Sequence, residues 1–255
     1  MKHNISRRLF IGLMTCICVF SSVMFLKDIY QSHKAKEEFR AIRSKLKESK
    51  IEEQVSTEVP DESSSVLHRY EELYKSNDEF VGWIEIKDTQ INYPVMQSIE
   101  DEEYYLHRNL QKEYSPSGTP FLSANSKVQD SNNQIIVYGH NMKNGTMFSD
   151  LRLYREQEFW QDNKSISFNN LYNERKFEIF AAFEIDVEVG NGHFEFYKYP
   201  SFESDKNLQM FLEEVKKLSL YDTEVGVKFG ETILTLVTCD EFDGSSRMVV
   251  MAVEK

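Results

Sequence analysis

Eight short runs rich in β-branched and aromatic residues dominate the chain from residue 80 to its end. They read "FVGWIEI", "INYPVMQ", "GTPFLS", "NQIIVYGH", "SISFNN", "KFEIFAAFEID", "ILTLVTC" and "RMVVMAV", with Asn, Asp, Gly and Ser turns between them. Runs of this length bounded by turn residues are strands. Their number and spacing predict a mainly antiparallel sheet that closes, or nearly closes, on itself, which removes unpaired edges. Helical patterns interrupt it at "EDEEYYLHRNL", "TMFSDLRLYREQEFW" and "SDKNLQMFLEEVKKLSLY". The last is the strongest, with Leu208, Phe211, Leu212, Val215 and Leu218 on one stripe and Lys and Glu opposite. Leu67, Tyr70, Leu73 and Tyr74 mark a further helix ahead of the strands. The expected fold is mainly β: a barrel decorated with helices.

The N-terminal part belongs to a different solvent. Lys2, Arg7 and Arg8 precede an uncharged run from Leu9 to Leu26, 18 residues long. That length just spans a hydrocarbon core. A cleaved signal peptide is the rival reading, but "FLKDIY" follows in place of a small-residue cleavage pattern, which favours an anchor. Residues 27–50 hold eight basic and four acidic residues in a helical pattern, a solvated stalk near a membrane surface. The short tail before the anchor carries fewer basic residues than this flank, so the charge rule alone does not orient the chain. "EEQVSTEVPDESSS" is polar and acidic, a flexible linker. The first 50 residues sum to +7 and the whole chain to −12, so residues 51–255 carry −19. Nucleic-acid binding needs a basic footprint, and this part has the opposite sign. The folded part starts near Val66, and about 190 residues bury a sufficient core without disulfides.

Of the three cysteines, Cys16 and Cys18 lie in the apolar run, which leaves Cys239 alone in the folded part. A lone strand cysteine is either an inert core residue or a nucleophile. Cys239 ends its strand before a polar loop, a common place for reactive groups. Asp240, Glu241 and Asp243 disfavour its thiolate, while Arg247, eight positions on, offsets them if the last two strands form a hairpin. Arg247 then holds a carbonyl or an oxyanion; its alternative is a solvated pair with Asp243. Among six histidines, His107 and His193 read as solvated, whereas His140 ends a hydrophobic strand in "QIIVYGHNMKNG". No grouping has the spacing of a zinc site.

"YGHNM" around His140, "TLVTC" ending in Cys239, and Arg247 resemble the sortase family, cysteine transpeptidases of Gram-positive cell surfaces. "FVGWIEI…INYPVMQ…YYLHRN…GTPFLS" extends the likeness over most of the folded region. The helix Ser204–Leu220 before the cysteine strand, with the helix Val66–Asn77, is similar to class B in particular. The resemblance implies an eight-stranded β-barrel with N-terminal helices and an inserted helix before the catalytic cysteine strand. It divides the chain into a cytoplasmic tail and anchor (1–26), a helical stalk and linker (27–65) and an extracellular catalytic domain (66–255). Cys239 is then the nucleophile toward the Thr carbonyl of a sorting peptide, NPQTN-like or LPxTG-like, on a secreted protein. His140 serves as acid and base, Arg247 positions the peptide and stabilises the oxyanion, and Asn141, Thr235, Thr238 and Asp240 bind substrate. A peptidoglycan precursor or cross-bridge amine accepts the acyl group, membrane lipid holds the anchor, and neither metal nor cofactor takes part. Two rivals stand beside this: a cysteine endopeptidase with water as acceptor, and a membrane-anchored surface-binding domain with a structural thiol.

Overall fold

The computed structural model describes residues 2–55, 66–186, 194–239 and 246–255, without the side chains of residues 2–9, 28, 52–55 and 239. Helix α1 (Lys2–Val55) leads, followed by α2 (His68–Ser76). Strands β1 (Phe80–Glu85), β2 (Asn92–Met96), β3 (Phe121–Leu122) and β4 (Gln134–His140) come next. A short helix α3 (Gln157–Asp162) precedes β5 (Ser165–Asn170) and β6 (Lys176–Asp186). Helix α4 (Asp205–Leu218) then leads into β7 (Ile233–Cys239) and β8 (Ser246–Glu254). All eight strand-like runs are strands, and they close into a barrel in the order β1-β2-β3-β4-β7-β8-β6-β5. The predicted "EDEEYYLHRNL" helix is only a 3-10 turn, Tyr104–His107, and the next one splits into a 3-10 segment, Ser149–Arg155, and α3.

Two of the pairings are parallel, β2 with β3 and β4 with β7; the rest are antiparallel. Side-chain alternation sorts the central strands into an inner and an outer face. Ile135, Val137, Leu234, Leu236, Val250 and Ala252 fill the barrel together with Phe148, Phe168 and Phe177. Ile136, Ile233, Val237, Val249 and Met251 form the outer wall, which α4 covers with Leu208, Phe211 and Val215. Ser204 starts α4 by accepting a hydrogen bond from the Asn207 N–H, satisfying one of the donors a helix leaves free at its first turn.

Helix α1 runs unbroken from the apolar stretch into the charged one. Phe10, Phe20, Phe25 and Leu26 are each more than three-fifths exposed, so the apolar stretch lies against no other part of the protein. Farther along, one face is not solvated. Ala35 and Phe39 are buried against the barrel, Phe39 edge-on to Tyr93 with ring centroids 5.2 Å apart. Arg43 stacks over the same ring. Lys34, Glu38 and Lys50 reach Glu113, Asn109 and Glu174. The stalk's charges thus partly serve docking, because Phe39 and Ala35 give an otherwise charged helix an apolar seam.

Candidate active site

Strands β4 and β7 run in the same direction, so their C-terminal ends finish at one end of the barrel. The last register pair is His140 with Cys239, side by side on neighbouring strands. On its other side β7 meets β8 antiparallel, with Val237 opposite Val249. Carried two residues farther, that register sets Cys239 across from Arg247. Three residues, two of them far apart in the chain, are thereby gathered on three adjacent strands.

The wall below is locked. Gly139 has no side chain because Phe148 occupies the place: a Cβ there would lie 2.6 Å from Phe148 Cγ. Phe148 donates its N–H to the His140 carbonyl at 2.8 Å, which begins the loop after the strand. Asn141, buried, bridges to Met147 across that loop, and Tyr93 Oη accepts from the Met147 N–H. Asn144 in the same loop donates to Ser32 of α1 at 2.7 Å.

His140 itself is 4 % exposed. Its Nε2 lies 2.7 Å from the Leu106 carbonyl. A carbonyl oxygen only accepts, so Nε2 carries a proton in the neutral and the charged ring alike. Proton exchange with a reacting group therefore falls to Nδ1. The tautomer is assigned by this bond. The His107 ring faces His140 at 5.4 Å between centroids and Tyr114 at 6.4 Å on its other side. His107 was expected to be solvated; it is half-buried beside the site, because a 3-10 turn stands where a free helix was expected. Only "YLHRN" lying within the family-like segments hinted at this.

The four expected substrate contacts are distributed unevenly. Thr238 is 1 % exposed, and its Oγ1 accepts the Met248 N–H at 2.9 Å, continuing the β7–β8 ladder one step toward Cys239. Thr235 is fully buried in a 3.0 Å hydrogen bond with the Gln134 amide. Neither hydroxyl is open to a substrate, because a polar group in a packed wall must be satisfied there. Asn141 opens the loop beside His140, and Asp240, like Glu241, Asp243 and His193, lies outside the described residues.

Arg247 is half-buried at the start of β8, paired with Ile185. Tyr197, in the 3-10 turn Phe196–Lys198, is close enough to sense its charge. Burial, reinforced by Glu195 bonded to its hydroxyl, raises the Tyr197 phenol, and Arg247 acts against that rise. Among the described residues, no three His, Cys, Asp or Glu side chains are grouped to hold a metal ion. What the arrangement offers is a strand-end thiol position, an imidazole with one defined exchanging nitrogen, and a fixed cation. That is the equipment of acyl transfer.

Residues 84–255 match the family model "Sortase domain". The chain is 32 % identical over 189 residues to Sortase B of Staphylococcus aureus (strain NCTC 8325 / PS 47), covering 73 % of this chain and 75 % of that one. The structure of a Staphylococcus aureus sortase B–substrate complex superposes with a TM-score of 0.76 at 27 % identity, over 89 % of this chain and 98 % of the other. A sortase B complexed with triglycine superposes at 0.75 with 27 % identity, over 88 % and 98 %.

Proposed function

The chain belongs to the sortase family, class B, and is a sortase-type cysteine transpeptidase; from that premise we propose that it joins secreted proteins to a peptidoglycan amine. The observation that carries the reading is the β4–β7 register, which makes His140 and Cys239 neighbours with Arg247 on the next strand. The Cys239 thiolate attacks the Thr carbonyl carbon of a C-terminal sorting motif, and the C=O electron pair moves onto oxygen. Arg247 stabilises that oxyanion through its fixed fork of donors. As the tetrahedral centre collapses, the C–N bond breaks and the leaving amine takes the Nδ1 proton of the His140 imidazolium. A thioester remains. An acceptor amine then attacks it, Nδ1 takes the proton that the amine loses, and the C–S bond breaks to restore the thiolate. The thiol is solitary in the folded part because it must stay free to acylate.

Relatives solved with a substrate and with triglycine support a peptide groove and an amine groove at this end of the barrel. The exposed apolar stretch of α1 supports a single-pass anchor, tail inside and barrel outside, since peptide and acceptor are both external. The acidic residues Asp240, Glu241 and Asp243 have the charge to attract an ammonium acceptor.

The test is product analysis with labelled NPQTN-like and LPxTG-like peptides, with and without millimolar triglycine, diaminopimelate-containing stem peptide or hydroxylamine. Amine diverts product from free acid to amide or hydroxamate and speeds turnover. Free acid at an unchanged rate with all three acceptors would make the enzyme an endopeptidase instead.

A further inference from the structure

The carbonyl that holds His140 belongs to a turn whose neighbouring carbonyls are already taken. Thr119 N–H bonds the Tyr105 carbonyl at 3.0 Å, Ser115 N–H the His107 carbonyl at 3.0 Å, and Thr119 Oγ1 the Arg108 carbonyl at 2.9 Å. The loop Ser115–Thr119 thus binds the turn on both sides of Leu106 and leaves the Leu106 carbonyl for His140. Below, the Tyr105 ring is fully buried and its hydroxyl is fixed by Glu79 and Asn77.

Loop and turn approach each other most closely at Gly118. Its φ is +56°, and a Cβ there would lie 2.2 Å from the Leu106 oxygen, 2.5 Å from the Tyr105 oxygen and 2.7 Å from the Leu106 carbonyl carbon. All three are backbone atoms, so no side-chain rotation relieves the overlap; the peptide itself must move.

We propose that Gly118 is a positioning residue for His140: lacking a Cβ, it admits the Leu106 carbonyl to the place where it holds Nε2–H and turns Nδ1 toward the reacting centre. This rests on the reading of His140 as the acid–base group. Second-layer acceptors set the tautomer and ring orientation of a functional histidine in the same way at metal sites. A displaced carbonyl frees the ring to exchange tautomers and to rotate, and a misplacement of about 1 Å costs up to about 100-fold in rate.

The test uses full-length protein in detergent, labelled with ¹⁵N-histidine, with the His140 signals identified by their loss in His140→Ala. Gly118→Ala shifts the His140 Nε2–H resonance and both ring ¹⁵N shifts, and kcat falls about 10- to 100-fold while KM stays within about twofold. Thr119→Val, which removes only the hydroxyl bond to Arg108, moves the same signals in the same direction with a smaller loss. Gly230→Ala is the control. Gly230 also has positive φ, +98°, but nothing within 4 Å of a Cβ, so it adds backbone strain without a clash and leaves the His140 signals in place. Unchanged His140 signals in Gly118→Ala overturn the inference, and if that variant does not fold, unchanged signals in Thr119→Val do so. Shifted signals with an unchanged kcat uphold the positioning role and overturn the acid–base role of His140.

Discussion

Cys239, His140 and Arg247 differ in what each substitution takes away. Cys239→Ala removes the only thiol of the folded part and abolishes peptide cleavage. His140→Ala leaves thiol and cation in place and removes the proton carrier, a loss of about 10²–10⁴ in kcat/KM. Arg247→Lys keeps the charge but not the planar fork, and the expected loss is about 10²-fold. Steady-state kinetics on a sorting peptide check all three. A His140→Ala variant of near-normal rate would shift the acid–base role to His107, whose ring already lies 5.4 Å from that of His140. Both histidines are visible in the sequence. Their proximity is not, because it depends on a turn well before β4 in the chain packing on that strand's far end.

Elements are held in register by a few polar clamps, and the clearest joins the last strand to the turn between β5 and β6. Arg175 grips Glu254 with two parallel hydrogen bonds of 2.6 Å, gives a third to the Val128 carbonyl, and lies over the Phe177 ring. The guanidinium is 9 % exposed and the carboxylate 32 %, so water weakens the pair only in part. Arg175→Met therefore costs about 1–3 kcal/mol at pH 7. The Arg175 hydrogen bond holds the Glu254 carboxyl below its ordinary value of 4.5. A folded-state pKa below the unfolded one contributes stability that is complete above the unfolded value and fades as pH falls through the folded one. Urea unfolding of wild type and variant should show a constant gap from pH 7 to about 5 that narrows below about 4.5. A gap that widens with acid would contradict this.

At the scale of the whole molecule, α1 is both the membrane segment and part of the barrel's coat. Phe39 is 2 % exposed, and its removal leaves Tyr93 without its aromatic partner. Phe39→Ala should cost about 3 kcal/mol, near the low end for buried Phe→Ala, and lower Tm by roughly 6–12 °C. Protein starting at residue 63 lacks the whole docked face and should melt below protein starting at residue 28, although both leave the membrane fraction in which full-length protein is found. Since Ser32 bonds Asn144 in the loop that follows His140, the shorter form should also turn over more slowly. Equal Tm and equal rate for the two soluble forms would mean that the docking has no energetic weight.

Strand identity, strand number and the strand-end placement of His140, Cys239 and Arg247 could be read from the chain, because alternation, turn residues and β-branching act over a few neighbours. The β7–β8 hairpin was readable for the same reason: its partners are close in sequence. Tertiary structure alone decided that β4 and β7 lie parallel, that a 3-10 turn gives its Leu106 carbonyl to His140, that Thr235 and Thr238 turn their hydroxyls into the wall, and that a charged stalk docks through Phe39. Most of these join segments tens of residues apart. Such pairings are selected by which faces bury best together once the barrel closes, a quantity that no local stretch of sequence contains.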